Sequence, residues 1–127
     1  MKSPIKNQAG AVFIHVSGME RAIAFYSRLL GLPIREAAHE GNIYDSPVQG
    51  GSQIILDSHH RAAPSTDNLP LLFFDTDDLQ SSYAFIVEEG IEVAGEIEIH
   101  DDISFCTFRD PDGNVLMVCE DKRNAPS

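Results

Sequence analysis

Five histidines, two cysteines and a surplus of carboxylates are the groups of this 127-residue sequence that can do chemistry. His15 lies in the apolar run "AVFIHVS", while Asp57, His59 and His60 stand together in "LDSHH". An imidazole beside a carboxylate can act as a general base, because the carboxylate holds the ring tautomer. Two imidazoles with a carboxylate also make a donor set for a divalent metal. Each residue has a plainer alternative. His59 and His60 stand at a strand end beside a polar stretch, where solvated side chains are the rule. His15, just before a helix start, suits a hydrogen-bonded structural histidine. His39 and His100 lie in polar turn regions and read as surface residues. Cys106 and Cys119 sit in apolar alternating segments with no CxxC spacing. They read as reduced core thiols of a cytoplasmic protein rather than as a disulfide or a metal site.

The elements that must position these groups follow from periodicity. "AVFIHVS", residues 11 to 17, is short, apolar and rich in β-formers, which predicts a strand. Ser17 is placed to cap a helix, with Glu20 at capping-box spacing. Met19, Ala22, Ile23, Phe25, Tyr26, Leu29 and Leu30 then form an apolar face at helical spacing, and Gly31 is a C-cap glycine. Three strand-like runs follow, "LPIREAA", "NIYDSPV" and "SQIILDS", separated by the turn-rich "HEG" and "QGG". The polar "HHRAAPSTDN", residues 59 to 68, reads as a linker. Beyond it the order recurs. "LPLLFFDT" is a strand, Asp77 or Asp78 caps a helix that Gly90 stops, and "IEVAGEIEI", "ISFCTFRD" and "VLMVCED" are strands. Asp112-Gly113 between the last two is a strong hairpin signal, and the carboxylates of "DPDGN" serve to cap and solvate that turn. The helices echo one another directly: Met19 aligns with Leu79, Ala24-Phe25 with Ala84-Phe85, and Gly31 with Gly90 once one residue is dropped. The chain therefore reads as one βαβββ unit written twice, an α+β fold. Module one covers about 10–58, module two about 69–120, and a disordered tail 122–127, all within a single 1–127 domain.

The bulk numbers narrow the partners. At 14.0 kDa and 43% hydrophobic residues the chain suits a single soluble domain with a true core. A formal net charge of -11 argues against nucleic acid and anionic membrane as partners, since both call for a basic patch. "MKSPIKNQAG" lacks the apolar core of a secretory signal, and no later stretch is long enough to span a bilayer, so a cytoplasmic location is expected.

The run "HVSGMERAIAFYSRLLGLPI" and the closing "FRDPDGNVLMVCE" resemble the vicinal oxygen chelate superfamily, which holds glyoxalase I, extradiol dioxygenases, fosfomycin-resistance proteins and bleomycin-binding proteins. The resemblance covers nearly all of residues 11 to 120. It implies two βαβββ modules forming a curled mixed sheet around a cavity, and a homodimer by analogy. In metal-dependent members the ligands project from the first and last strands of each module. Carried over by position, those sites read Ala11, Ile55, Leu71 and Met117 in this sequence. None is a hard oxygen or imidazole donor, so the resemblance leaves no divalent metal at the usual site, and no cofactor is expected.

Strand parity from those positions gives the expected cavity lining. Phe13 and His15 share a face with Ala11, and Gln53, Asp57 and His59 share one with Ile55. Phe73 and Asp75 go with Leu71, and Val115 and Cys119 go with Met117. Tyr44 is the aromatic that could stack on a flat ligand, with core packing or an interface as its plainer alternative, and Arg35 and Glu36 could border the rim or stand solvated. Parity leaves open whether Phe105 or Cys106 faces inward. With the first and last strands of a module adjacent and Ala11 beside Ile55, His15 would come close to Asp57 and His59. The resulting expectation is a protein that binds a small organic molecule in a cavity lacking the usual metal ligands. The alternative is a glyoxalase-like lyase or isomerase, either metal-independent with His15 and Asp57 as base, or with relocated metal ligands.

Overall fold

In the computed structural model the described residues are 3–6, 8–35, 41–46, 48, 52–59 and 68–123. They fall into two compact units, Met1–Ala62 and Ala63–Ser127. The division lies inside the stretch read as a linker, most of which is outside the described residues, as are His39, His60, Glu36 and the end of the tail.

The first unit contains β1 (Ala11–His15), α1 (Met19–Leu30), β2 (Ile43–Ser46) and β3 (Gln53–Asp57). Its sheet has the order β1-β3-β2, with β1 parallel and β2 antiparallel to β3. The second unit contains β4 (Phe73–Asp75), α2 (Leu79–Glu88), β5 (Glu98–Ile99), β6 (Ile103–Arg109) and β7 (Val115–Asp121). Its order is β4-β7-β6-β5, again with one parallel pair. Two mixed sheets, each with one helix against it, make an α+β architecture.

The repeat extends to register. Phe13 stands opposite Ile55 in the first unit, and Phe73 stands opposite Met117 in the second. Both pairs join the opening strand of a module to its closing strand. A one-residue slip in either would turn the whole apolar set to the wrong face, so a shared register is a strong constraint.

In each unit alternate residues bury one sheet face under the helix. Ile14, Ile54, Leu56 and Tyr44 are buried with Ala22, Ile23 and Tyr26 in the first core, where α1 packs on β2 and β3. Cys106, Phe108, Leu116 and Val118 meet Leu79 and Ile86 in the second. The helix ends are set locally. Gly31 adopts the left-handed conformation, φ 66°, that closes α1. At the start of α2, Asp78 accepts from the Ser81 amide at 3.1 Å and from its hydroxyl at 2.8 Å. These bonds lower the Asp78 pKa, the backbone bond most strongly.

Three expectations are corrected. The cap of α1 is Gly18, with no side-chain capping bond, and the helix begins at Met19. Ser17 thus precedes the cap. Residues 32–35 form no strand, because Pro33 has no amide to give a ladder; the Arg35 amide instead donates to the Tyr44 hydroxyl at 3.1 Å. The run 91–99 pairs only in pieces, by a bridge from Val93 to Phe108 and by the short β5, with Gly95 interrupting between them.

Glu120 binds a distant helix end. Its Oε1 accepts the Leu79 amide at 2.9 Å, satisfying an otherwise orphaned donor at the start of α2. Glu120→Ala is expected to lower stability by about 1–2 kcal/mol, read as a fall in the urea midpoint at unchanged m-value. An unchanged midpoint would show that Asp78 alone suffices.

Candidate functional site

The face of each sheet away from its helix carries the residues expected to line a site. In the first unit, alternation brings His15, Asp57 and Ile43 into one cross-strand row, and Phe13, Ile55 and Asp45 into the next. Ala11 stands opposite Gln53 rather than Ile55, a two-residue shift from expectation that leaves the parity unchanged. It also puts His15 directly opposite Asp57. The His15 Nδ1 lies 3.8 Å from Asp57 Oδ2, with the histidine side chain 46% exposed and the aspartate 10%. Asp57 is held from the other side, since its Oδ1 accepts the His59 amide at 2.8 Å. His59 therefore enters the cluster through its backbone and orients the carboxylate. The carboxylate in turn faces Nδ1 of a half-exposed ring, an orientation that can hold the imidazole tautomer.

Phe13 is 52% exposed on this open face, an unusual position for a phenylalanine in the middle of a strand. Tyr44 differs from expectation. It pairs with Leu56 on the helix-covered face and is 1% exposed. It is a core residue, because β2 runs antiparallel to β3 in a register that turns even-numbered positions inward.

In the second unit, Phe73, Met117 and Thr107 form one row of the open face. Asp75, Cys119, Phe105 and Glu98 form the next. Phe105 thus shares the open face with Cys119, and Cys106 lies in the core. The turn centred on Asp112 carried this signal, since it pairs Arg109 with Val115 and every later pair follows by counting. Phe73 is 52% exposed and Leu71 is exposed too, whereas Val115 is buried. His100 stacks against Phe105 with ring centroids 6.2 Å apart, and its Nε2 lies 3.4 Å from Glu98.

The two thiols sit on opposite faces of the β6–β7 ladder, because Cys106 pairs with Val118 while Cys119 pairs with Phe105. Both are free and buried. Burial raises the Cys119 pKa, and the Asp121 and Asp75 carboxylates raise it further. Burial alone raises that of Cys106. Neither thiol is a thiolate nucleophile near neutral pH. The turn carboxylate Asp110 is buried, accepting from the Asp112 and Asn114 amides at 2.9 Å each and from Asn114 Nδ2 at 2.8 Å. It builds the hairpin and stays away from the open face.

The donor chemistry does not suit a divalent metal at the four carried-over positions. Ala11, Ile55, Leu71 and Met117 offer no oxygen or imidazole, and the nearby Glu120 is committed to the start of α2. Among the described residues no group of three or more His, Cys, Asp or Glu could hold a metal ion. Among them, too, no helix is long and apolar enough to cross a membrane.

Residues 8–118 match the family model described as the Glyoxalase/Bleomycin resistance protein/Dioxygenase superfamily. No curated protein matches the sequence significantly. Among solved structures, a glyoxalase/dioxygenase from Nostoc punctiforme is 19% identical with a TM-score of 0.73, covering 95% of this chain and 98% of that one. TnmS3, an antibiotic binding protein from Streptomyces sp. CB03234, is 25% identical with a TM-score of 0.72, covering 94% and 99%. A lactoylglutathione lyase from Agrobacterium tumefaciens is 18% identical with a TM-score of 0.69, covering 91% and 95%.

Proposed function

The chain belongs to the Glyoxalase/Bleomycin resistance protein/Dioxygenase superfamily, and from that premise we propose that it binds a small organic molecule without the family's metal. The observation that carries this reading is the open sheet face of each unit. The positions that would ligate a metal are apolar there, and the phenylalanines beside them stand half exposed. Exposed aromatic surface with a few polar groups is what a small-molecule site needs. The likeness to an antibiotic-binding protein points the same way. In the first unit Phe13, Gln53 and Ile55 would contribute the surface, with His15 and Asp57 its polar pair; in the second unit Leu71, Phe73, Met117 and Cys119 would line the corresponding face. By analogy with the family the protein acts as a homodimer, and its two buried free thiols suit a reducing cytoplasm.

Protein purified without chelator is expected to carry no stoichiometric divalent metal, and a stoichiometric metal in elemental analysis would overturn the reading. A thermal-shift screen of flat organic compounds is expected to return ligands. A compound at about 100 times its dissociation constant adds about 2.7 kcal/mol.

The 3.8 Å approach of His15 to Asp57 favours a second reading, a metal-independent lyase or isomerase with His15 as base. Under it, His15→Ala lowers turnover by about 10²–10⁴-fold while the melting temperature and ligand affinity hold. An unfolded variant would assign His15 a structural role instead.

A further inference from the structure

The open face of the second unit carries a charge pattern that narrows the ligand class, and the inference rests on the small-molecule reading above. Asp75, Cys119, Phe105 and Glu98 lie side by side across four strands, and Phe73 stands two residues before Asp75 on the same face. The Asp75 carboxylate is exposed and makes no hydrogen bond or ion pair among the described residues. The basic side chains described in this unit are all committed elsewhere. Arg109 lies 3.4 Å from Glu92 and donates to the Gly113 carbonyl at 2.8 Å and to Asn68 Oδ1 at 3.0 Å. Lys122 donates to the His100 carbonyl and to Ser104, and Arg123 is clasped by Asp121. Among the described residues the ion-pair partner of Glu98 is His100, at 3.4 Å. A carboxylate without a cation thus shares its sheet face with Phe73, two residues before it, and with Phe105, which lies across Cys119 and stacks on His100 with one of its faces, in a chain of net charge -11.

We propose that Asp75, with Phe73 and Phe105 on the same sheet face, recognises the cationic end of a planar aromatic molecule, one with a quaternised or protonated ring nitrogen. Its positive ring lies against the phenylalanine faces, where the quadrupole attracts it, while Asp75 supplies the opposite charge. A neutral ring of the same shape gains the apolar contact alone.

The test compares N-methylquinolinium with its neutral isostere 1-methylnaphthalene, titrated into the full chain by calorimetry at low and high salt. The cation is expected to bind at least about tenfold more tightly at low salt, with the advantage shrinking as salt screens it. Asp75→Asn keeps the shape of the side chain and is expected to remove that preference while 1-methylnaphthalene binds as before. A thermal melt confirms that the variant is folded. Equal binding of the two probes by the natural chain, or a preference that persists in Asp75→Asn, overturns the inference and leaves the small-molecule reading standing. If neither probe binds, the inference fails; if the compound screen is silent as well, the reading beneath it fails with it.

Discussion

Tyr44→Ala is expected to destabilise the chain by about 3–5 kcal/mol, whereas Phe13→Ala should change stability by no more than about 0.5 kcal/mol. The contrast follows from the sheet of the first unit. Tyr44 and Phe13 are both strand aromatics, but Tyr44 is 1% exposed beneath α1 and Phe13 is 52% exposed on the other face. Truncating Tyr44 removes a ring buried beside Leu56 on the face that α1 covers and deprives the Arg35 amide of its acceptor. Tyr44→Phe separates the two effects: it keeps the ring and should cost only about 1 kcal/mol. Urea denaturation checks all three variants. Ligand binding should show the reverse order, with Phe13→Ala weakening it and Tyr44→Phe sparing it. A stable Tyr44→Ala protein that had lost its ligand would return Tyr44 to the lining role that its residue type suggests.

Phe108→Ala is expected to cost a similar 3–5 kcal/mol, this time in the second unit. Phe108 is fully buried, stands opposite Leu116 in the β6–β7 ladder and forms the bridge to Val93 that ties the broken run 91–99 to the sheet. Its loss should therefore empty the core under α2 and loosen β6, whose Thr107 carbonyl and Arg109 amide hold the run through Ala94 and Glu92. Native-state hydrogen exchange distinguishes this from a uniform loss: amides of β6, β7 and residues 92–94 should lose protection most. Because whole domains are stable by only about 5–15 kcal/mol, this one substitution removes a large share. Protection that fell equally at every amide would contradict a loss centred on β6.

Much of this was legible in the residues. Both helices, the strands β1, β3, β6 and β7, the cap at Asp78, the terminating Gly31 and the Asp112-Gly113 hairpin all follow from local chemistry. The superfamily was legible too, because its two longest motifs lie on those same elements. The errors share a cause. Ser17 looks like a cap until the backbone places Gly18 there, and the run from Leu32 looks like a strand until Pro33 denies it a ladder. In each case residue type stated a preference that the neighbouring hydrogen bonds decided.

The candidate site divides in the same way. Alternation alone placed Phe13 with His15, Gln53 with Ile55 and Asp57, and Phe73 with Asp75, because strand side chains have a period of two whatever lies beside them. The resemblance, carried over by position, puts Ala11, Ile55, Leu71 and Met117 where metal-dependent members hold their ligands, and none of the four has chemistry for a hard metal. What alternation leaves unspecified is which residue of one strand meets which residue of the next, and so which face a strand such as β2 presents. Only the folded ladders settled that. They set His15 opposite Asp57, sent Tyr44 into the core and laid Asp75, Cys119, Phe105 and Glu98 in one row. Register is a property of pairs of strands, fixed by backbone hydrogen bonds and by the burial of one face, and no single strand carries it.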